Sequence, residues 1–324
     1  MGVEPAGTSA TEALHEETIH AEEPSGEYRS NWTDLRGVAF SQGWLDVRGV
    51  RIRYLRSGDA EAPTVVMLPG TGGHAETFVA NLGPLGEAFQ CFAIDVPGTG
   101  YSDKPDALYD AITHADFLQD FAATIRVTRI HLVGCSVGSW TSLRCAIAHP
   151  ELVERLILVS PAGGPLPEPD DPWYDAWMAP PAMPEMEDRR KIAKEPTWER
   201  SEAILRALIP DRRRLTDDII AARLDVNRQA GAAQAAERVN WWTDHELRIR
   251  NSFTREELRS VRQPVLGVCE VNDRLLPMTQ AMFRCLSNGR LVRVDGVGHW
   301  PHYEAPHQFN DLALEFLRAE TVAD

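Results

Sequence analysis

The sequence has no long apolar run, few cysteines and no excess of positive charge. The longest apolar stretches, such as residues 156–159, are as long as a strand and too short for a membrane-spanning helix. The formal net charge of -15 argues against attraction to nucleic acid or to an anionic membrane surface. We therefore expect neither a nucleic-acid partner nor a membrane partner.

The cysteines are scattered along the chain, and no two of them form a Cys-x-x-Cys pair. They are Cys91, Cys135, Cys145, Cys269 and Cys285. This spacing disfavours a zinc site and a disulfide framework, and it fits a protein of the reducing cytoplasm. The first residues also lack the basic start and apolar core of a secretory signal. We therefore expect a cytoplasmic location.

The N-terminal stretch differs in composition from the rest of the chain. Residues 1 to about 30 are acidic and rich in small residues, with few apolar side chains to bury. We predict that residues 1–30 form a disordered tail that is dispensable for folding and activity.

The remainder of the chain is predicted to be one α/β core interrupted by an insertion. Residues 43–54 alternate apolar with polar residues around an Arg-Gly step, which predicts an antiparallel hairpin. From Thr64, solid apolar strands alternate with helix-length segments, which predicts a mostly parallel, twisted sheet flanked by helices. The strands stop after Ser160 and resume at Pro264. We predict a first core part at 38–163, a helical cap at 164–260 and a second core part at 261–320.

A Gly-x-Ser-x-Gly pattern lies between a predicted strand and a predicted helix. It is formed by Gly134, Ser136 and Gly138 in the run IHLVGCSVGSW. A turn this tight requires small flanking residues, lifts the serine hydroxyl above the sheet edge and directs the next amide at a substrate oxygen. The pattern alone can arise by chance, but its position directly after a buried strand makes Ser136 the predicted nucleophile.

A serine nucleophile needs an imidazole base, and the base needs an orienting carboxylate. Among the ten histidines, His299 alone lies in a Gly-His-Trp step after a late predicted strand. Asp273 directly follows the preceding predicted strand, so the chain order is serine, aspartate, histidine. We predict that His299 is the base and Asp273 its partner. Glu270 and Asp295 are the alternatives for the carboxylate, and His302 is predicted to be structural.

A glycine-rich loop after the predicted strand VVML is expected to complete an oxyanion hole. The sequence there reads LPGTGGHAETF, and its glycines allow the backbone to approach a substrate closely. We predict that the N–H groups of Thr71 and Val137 bind the oxyanion. Such a loop also invites a phosphate-binding interpretation, but it lacks the P-loop ending and the Gly-x-Gly-x-x-Gly register. Nucleotide binding is therefore disfavoured.

Several segments together resemble the serine α/β-hydrolase superfamily. They are LPGTGGHAETF, DVPGTGYSDKP, LVGCSVGSW, VNDRLLP and GVGHWPHYEAPHQFN. The Gly-His-Trp step and the segment LTDDIIAARLDVNRQ are most similar to the meta-cleavage product hydrolases, which split carbon–carbon bonds in vinylogous diketo acids formed by aromatic-ring fission. The resemblance implies an α/β-hydrolase fold with an inserted helical cap. It implies neither a metal ion nor an organic cofactor.

The resemblance also implies which residues bind the substrate. Arg223 matches the family's arginine that holds the substrate's carboxylate and dienol oxygen, a task suited to a planar bidentate donor. Trp300, Gly70 and Gly72 are expected to line the same pocket. An exposed helix arginine that pairs with a neighbouring aspartate is the alternative interpretation of Arg223.

Two residues depart from the family pattern. Pro69 replaces the usual histidine of the oxyanion loop, and Cys135 stands before the nucleophile, where a polar residue is common. We expect a packing role for Cys135. Because of these two departures, the sequence does not identify the exact substrate.

The expected function is hydrolysis of a carbon–carbon bond in a 2-hydroxy-6-oxo-dienoate. The substrate would be a small apolar molecule with a carboxylate or a ketone, and a homodimer is compatible with this interpretation. A carboxylic ester hydrolase is the first alternative. The second is a lyase, a cyclase or a ligand receptor on the same scaffold, because a fold does not fix a function.

Overall fold

A twisted sheet forms the centre of the molecule in the computed structural model, which describes residues 14–179 and 191–319. The strands are β1 (His15–His20), β2 (Phe40–Val47), β3 (Val50–Ser57), β4 (Thr64–Leu68), β5 (Gln90–Ile94), β6 (Ile130–Cys135), β7 (Val153–Val159), β8 (Val265–Glu270) and β9 (Gly289–Asp295). Their order across the sheet is β1-β9-β8-β7-β6-β4-β5-β3-β2. Every neighbouring pair is parallel except β2 with β3 and β3 with β5. The predicted mostly parallel sheet is confirmed.

The predicted hairpin forms the antiparallel edge of this sheet. Val47 pairs with Val50, so Arg48 and Gly49 alone make the turn. Both turn residues have positive φ, 51° and 83°, as a two-residue hairpin turn that follows the strand twist requires. The central strands β4, β5 and β6 are buried at every position, which explains their largely apolar sequences.

Helices cover both faces of the sheet. They are α1 (Asn31–Leu35), α2 (Val79–Gly86), α3 (Ala111–Thr124), α4 (Val137–Ala148), α5 (Tyr174–Met178), α6 (Trp198–Leu208), α7 (Asp217–Arg228), α8 (Ala232–Val239), α9 (His245–Asn251), α10 (Arg255–Ser260), α11 (Leu276–Phe283), α12 (Pro301–Glu304) and α13 (Pro306–Arg318). Among the described helices, none combines the length and the apolar character needed to cross a bilayer.

Helices α5 to α10 belong to the long insertion between β7 and β8. This is the segment predicted to be a cap, and residues 180–190 of it lie outside the described residues. The Trp140 indole N–H donates to the Asn251 carbonyl at 2.7 Å, and Arg144 donates to the Ser252 carbonyl at 2.8 Å. The end of the insertion is therefore fixed against α4, the helix that directly follows Ser136.

Part of the predicted disordered tail is folded, so the prediction is wrong for residues 14–30. Strand β1 pairs in parallel with β9 over its whole length, and Ser30 forms a capping box at the start of α1. Glu16 and Glu17 of β1 pair with Arg293 and Arg290 of β9 at 2.7 Å and 2.6 Å. The composition of this segment did not predict a strand, because an exposed edge strand carries few apolar residues. Residues 1–13 of the predicted tail lie outside the described residues.

Candidate active site

Ser136 occupies a strained turn between β6 and α4. Its φ of 54° and ψ of -118° are unusual for a residue other than glycine. The Ser136 N–H donates to the Val159 carbonyl at 2.8 Å, which fixes the turn against the neighbouring strand. A Cβ on Gly134 would lie 2.3 Å from the Gly138 carbonyl oxygen, and a Cβ on Gly138 would lie 2.4 Å from the Leu68 carbonyl oxygen. Both flanking glycines are therefore required by close backbone approach.

The glycine-rich loop after β4 lies directly beside Ser136. A Cβ on Gly70 would be 3.0 Å from Ser136 Cβ and 3.6 Å from its Oγ. Gly73 N–H donates to the Gly70 carbonyl at 2.8 Å and closes the loop into a turn. Thr71 and Val137, the predicted oxyanion donors, line the same small cavity as Gly70. The structure thus brings the predicted nucleophile and both predicted donors to one place.

His299 and Asp273 face each other at the ends of the late strands. His299 Nδ1 and Asp273 Oδ2 are 3.9 Å apart, which is an ion-pair contact rather than a hydrogen bond. The other Asp273 oxygen accepts the Leu275 N–H at 2.8 Å, so the carboxylate is held in the turn after β8. The Asp273 side chain is only 6% exposed, and that of His299 is 23% exposed.

The alternative carboxylates have different surroundings. Asp295 pairs with His20 of the edge strand β1 at 3.1 Å and is half exposed. Glu270 lies at the end of β8, and burial together with the charge of Asp273 raises the pKa of its carboxyl. Cys135, next to Ser136, is 1% exposed. Burial raises the pKa of its thiol far above the usual range, so the thiol stays protonated at neutral pH.

Arg223 of α7 reaches over the glycine-rich loop. Its guanidinium donates to the Gly72 carbonyl, and the side chain is 5% exposed, so the interpretation of an exposed helix arginine is wrong. A Cβ on Gly72 would lie 2.8 Å from Arg223 Nη1. Arg223, Lys104, Asn227 and Thr71 line a cleft with about 570 Å³ of empty space, which we call the polar cleft.

The polar cleft and the small cavity beside Ser136 are neighbours. Thr71, Thr99 and Val239 line both of them. The polar cleft carries cationic and amide side chains beside the apolar side chains of Ile204 and Val226, whereas the wall of the small cavity includes Val96, Val137 and Thr141. A ligand that spans both spaces would place a polar end near Arg223 and an apolar end near Ser136.

Trp300, which the resemblance implies is a pocket residue, is buried in the structure. It is 3% exposed and lines neither the polar cleft nor the small cavity. Its ring packs edge-on against Tyr303 with the ring centroids 6.0 Å apart. The physical reason is local, because the Trp300 N–H donates to Glu304 at 2.9 Å as the chain turns into α12.

A buried charge network supports the loops around the site. One Asp95 oxygen accepts the Ala75 N–H at 2.7 Å, and the other accepts the Tyr101 N–H at 2.8 Å. Arg53 joins this carboxylate to Glu76. Burial opposes ionisation of Glu76, but hydrogen bonds from His74 and Arg53 hold the pKa of its carboxyl well below the usual range. The network fixes the glycine-rich loop relative to the loop after β5.

Sequence reasoning missed several residues that contact the site. The Trp242 indole N–H donates to Thr71 Oγ1 at 3.2 Å, so a residue of the insertion holds the oxyanion loop. Lys104 lines the polar cleft, and its ammonium donates to the Gly100 carbonyl at 2.8 Å. Lys104 lies in the segment DVPGTGYSDKP, which directly follows a buried strand, and this position at the end of a strand was the available signal for it. No comparable signal marks Trp242. In the part of the chain that the structure describes, no cluster of acidic, histidine or cysteine side chains is suited to a metal ion.

Comparison with known proteins identifies the family of this chain. The model of a family described as the alpha/beta hydrolase family matches residues 65–312. The chain is 25% identical over 291 residues to the 2-hydroxy-6-oxo-6-phenylhexa-2,4-dienoate hydrolase of Comamonas testosteroni, covering 84% of this chain and 93% of that protein. It is 26% identical over 269 residues to a 2-hydroxy-6-oxononadienedioate/2-hydroxy-6-oxononatrienedioate hydrolase of Cupriavidus pinatubonensis, covering 80% and 88%.

Solved structures show the same fold. The 2-hydroxy-6-oxo-6-phenylhexa-2,4-dienoate hydrolase from Rhodococcus sp. strain RHA1 superposes with a TM-score of 0.74 at 20% identity, covering 87% of this chain and 100% of that one. A bacterial membrane phospholipase A superposes with a TM-score of 0.71 at 26% identity, covering 88% of each chain. The expected fold and the expected similarity to dienoate hydrolases are confirmed. The chain belongs to the alpha/beta hydrolase family and is an enzyme.

Proposed function

We propose that this enzyme is a serine hydrolase that cleaves a carbon–carbon bond in a 2-hydroxy-6-oxo-dienoate. The observation that carries the proposal is the buried guanidinium of Arg223, which lines the polar cleft beside the Ser136 turn. A planar guanidinium is suited to bind a carboxylate such as that of a dienoate. The small cavity next to the polar cleft has the apolar side chains of Val96 and Val137 in its wall, on the side where the substituent of the distal ketone would lie.

The proposed chemistry uses Ser136, His299 and Asp273. His299 first moves a proton on the substrate to form its keto tautomer, and then accepts the Ser136 hydroxyl proton as Oγ attacks the distal carbonyl carbon. The N–H groups of Thr71 and Val137 stabilise the oxyanion. When the intermediate collapses, the carbon–carbon bond breaks and the leaving carbon takes the proton from the imidazolium. Water activated by His299 then releases the acyl group from Ser136 as a carboxylic acid.

Asp273 orients the imidazole and stabilises its charged form in these steps. The distance of 3.9 Å between Asp273 Oδ2 and His299 Nδ1 is longer than a hydrogen bond. Catalytic hydrogen bonds are often long in an empty site and shorten in the substrate complex. Only protein groups and water take part in the proposed sequence.

A carboxylic ester hydrolase is the second candidate function. The similarity to a solved phospholipase, at 26% identity over 88% of the chain, favours it specifically. The same triad and oxyanion donors would serve an ester, but an uncharged ester would not need a buried cation. The role of Arg223 therefore distinguishes the two candidates.

The test compares one dienoate with one ester on the full-length enzyme. The absorbance decay of 2-hydroxy-6-oxo-6-phenylhexa-2,4-dienoate and the hydrolysis of 4-nitrophenyl butyrate are measured for wild type, Ser136→Ala and Arg223→Gln. Arg228→Gln is the matched control, because Arg228 lies on the same helix but is exposed. Hydrogen bonds to charged groups contribute about 1.5–3 kcal/mol, so Arg223→Gln is expected to lower kcat/KM for the dienoate by about 10- to 100-fold.

The outcomes separate the candidates cleanly. Loss of both activities in Ser136→Ala, with a selective dienoate defect in Arg223→Gln and none in Arg228→Gln, supports the carbon–carbon hydrolase. Turnover of the ester alone, with no effect of Arg223→Gln, would replace it with the ester hydrolase. Binding of the dienoate without turnover would point instead to a receptor.

A further inference from the structure

Three successive backbone amides hold the turn that carries His299. The Gly298 N–H donates to Glu304 Oε2 at 2.8 Å, and the Trp300 N–H donates to Glu304 Oε1 at 2.9 Å. Between them, the His299 N–H donates to the Leu208 carbonyl at 2.7 Å. The two oxygens of one carboxylate therefore hold the amides on both sides of the candidate base.

The Glu304 carboxyl is placed at an energetic cost. Its side chain is 2% exposed, and burial raises the pKa of the carboxyl to about 7. The hydrogen bonds from the Gly298 and Trp300 amides and the charge of Arg214 favour the ionised form of the carboxyl, whereas the charge of Glu270 disfavours it. Arg214 donates to the backbone carbonyl of Glu304 at 2.5 Å. Within the described residues, no side-chain cation pairs directly with this buried acid, which is unfavourable for stability, so its position beside His299 calls for a functional explanation.

The turn has little freedom on its other side as well. A Cβ on Gly298 would lie 2.4 Å from the Leu208 carbonyl oxygen and 2.4 Å from Pro210 Cδ. Leu208 and Pro210 belong to the insertion, at the end of α6. The His299 turn is thus enclosed between the Glu304 carboxylate and the insertion, and each amide has a partner. Small errors in the position of a base reduce catalysis strongly, because proton transfer requires close and aligned approach.

We propose that Glu304 is a positioning residue for His299: its carboxylate holds the Gly298 and Trp300 amides and so fixes the imidazole relative to Ser136. This inference rests on the proposed serine hydrolase function. Glu304 acts through the backbone and is not expected to contact the substrate. Glutamine has nearly the same shape but only one acceptor oxygen, so in Glu304→Gln one of the two amides faces an NH2 group and loses its partner.

The test uses the full-length enzyme and the variants Glu304→Gln and Glu304→Ala. Glu257→Gln is the matched control, because Glu257 is a part-buried carboxylate that caps α10 at 2.7 Å and pairs with Arg144, far along the chain from the His299 turn. For each protein, kcat and KM are measured for the dienoate, together with the thermal midpoint. The rate at which a fluorophosphonate modifies Ser136 is measured against pH, because this reaction reports the nucleophile and its base independently of the substrate.

We expect Glu304→Gln to lower kcat and the labelling rate on the order of 10²-fold, with KM within about twofold of wild type. The labelling rate of wild type is expected to fall as the pH drops through the pKa of the buried Glu304 carboxyl. This contribution is expected to be absent in Glu304→Gln, because glutamine does not take up a proton. Glu257→Gln is expected to lose thermal stability while its kcat and labelling rate stay unchanged.

Several results would overturn the inference. One is a Glu304→Gln variant with wild-type kcat and labelling rate. Another is a loss of activity that only follows the loss of thermal stability in both Glu304→Gln and the control. Failure of the proposed substrate is distinguishable, because wild type would then be labelled at Ser136 without turning over the dienoate, and the labelling comparison would still decide the role of Glu304. If wild type is not labelled at Ser136 at all, both proposals fail.

Discussion

Replacing His302 by leucine is expected to remove part of the protein's sensitivity to acid. The His302 ring is fully buried against Phe78, with ring centroids 4.6 Å apart, and lies near Trp300 and Phe309. Within the described residues, neither ring nitrogen has a hydrogen-bond partner. Burial therefore lowers the pKa of the imidazole from 6.5 to about 3. The folded protein must keep this ring neutral at a pH at which the unfolded chain protonates it.

The size of the effect follows from linkage between proton binding and folding. Because the pKa of His302 is lower in the folded state, the unfolded chain binds more protons, and stability falls as the pH decreases from 6.5 towards 3. Between pH 7 and pH 5, this group alone is expected to cost about 2 kcal/mol of unfolding free energy. The value depends little on the folded pKa as long as that pKa stays below 5. Leucine has a similar volume and no titrating group, so it removes the cost.

The assay is urea unfolding of wild type, His302→Leu and His307→Leu at pH 7 and pH 5. His307 is exposed on α13 and serves as the matched control. From pH 7 to pH 5, we expect the free energy of unfolding to fall by the same amount in wild type and in His307→Leu. In His302→Leu we expect this fall to be about 2 kcal/mol smaller. Buried His114 and His131, each with a pKa lowered to about 4 by burial, contribute equally to all three proteins. An identical pH dependence in wild type and His302→Leu would refute the reasoning.

Two further predictions concern the site and the N-terminal segment. Gly72→Ala is expected to raise KM for the dienoate about tenfold and to raise KM for 4-nitrophenyl butyrate less. The reason is that Gly72 has a φ of +62° and that a Cβ at this position would displace Arg223. Steady-state assays measure both values, and equal effects on both substrates would contradict the prediction. A chain that begins at residue 25 is expected to have a free energy of unfolding at least about 2 kcal/mol lower than a chain that begins at residue 14. The shorter chain loses strand β1 and with it several hydrogen bonds of about 0.5–1.5 kcal/mol each. Urea unfolding of both chains measures the difference, and equal stability would show that β1 contributes nothing.

The tight turn at Ser136 could be predicted from sequence because its causes are local. Gly134, Ser136 and Gly138 lie within five positions, and the buried strand before them has an unmistakable apolar sequence. The close approach of each glycine to neighbouring backbone is the physical reason for the pattern. The parallel strands were predictable for a similar reason, since burial on both faces favours apolar residues at most positions.

The edge strand β1 could not be predicted because its partner is distant in the chain and its sequence is polar. His15 pairs with Arg290 and His20 with Asp295, and the strand is mostly exposed. Its specificity lies in ion pairs such as Glu17 with Arg290, which stabilise the pairing without an apolar pattern. A composition rich in acidic residues resembles that of a disordered tail, although here the acids face arginines.

The surroundings of Trp300 could not be predicted, for a different reason. A motif fixes which residues follow one another, but the hydrogen bonds of the turn decide which side chain faces the cleft. Here Glu304 takes the amide of Trp300, and the Trp300 ring turns into the core against Tyr303. Glu304 itself carried no catalytic signal in the sequence, because its interaction is with backbone groups that any residue provides.

The N-terminal segment, the insertion and the His299 turn are linked by hydrogen bonds that converge on α12. Arg29 donates to the Tyr303 carbonyl at 2.7 Å, and buried Arg214 of the insertion donates to the carbonyls of both Glu22 and Glu304. These two carbonyls, of Tyr303 and Glu304, lie at the residue whose carboxylate accepts the amides beside His299, or next to it. Removing the segment before residue 25 breaks the contact between Arg214 and Glu22 and leaves a buried cation with fewer acceptors. The same truncation that weakens the fold is therefore expected to lower kcat, because the support of the His299 turn depends on a part of the chain that composition alone assigned to a dispensable tail.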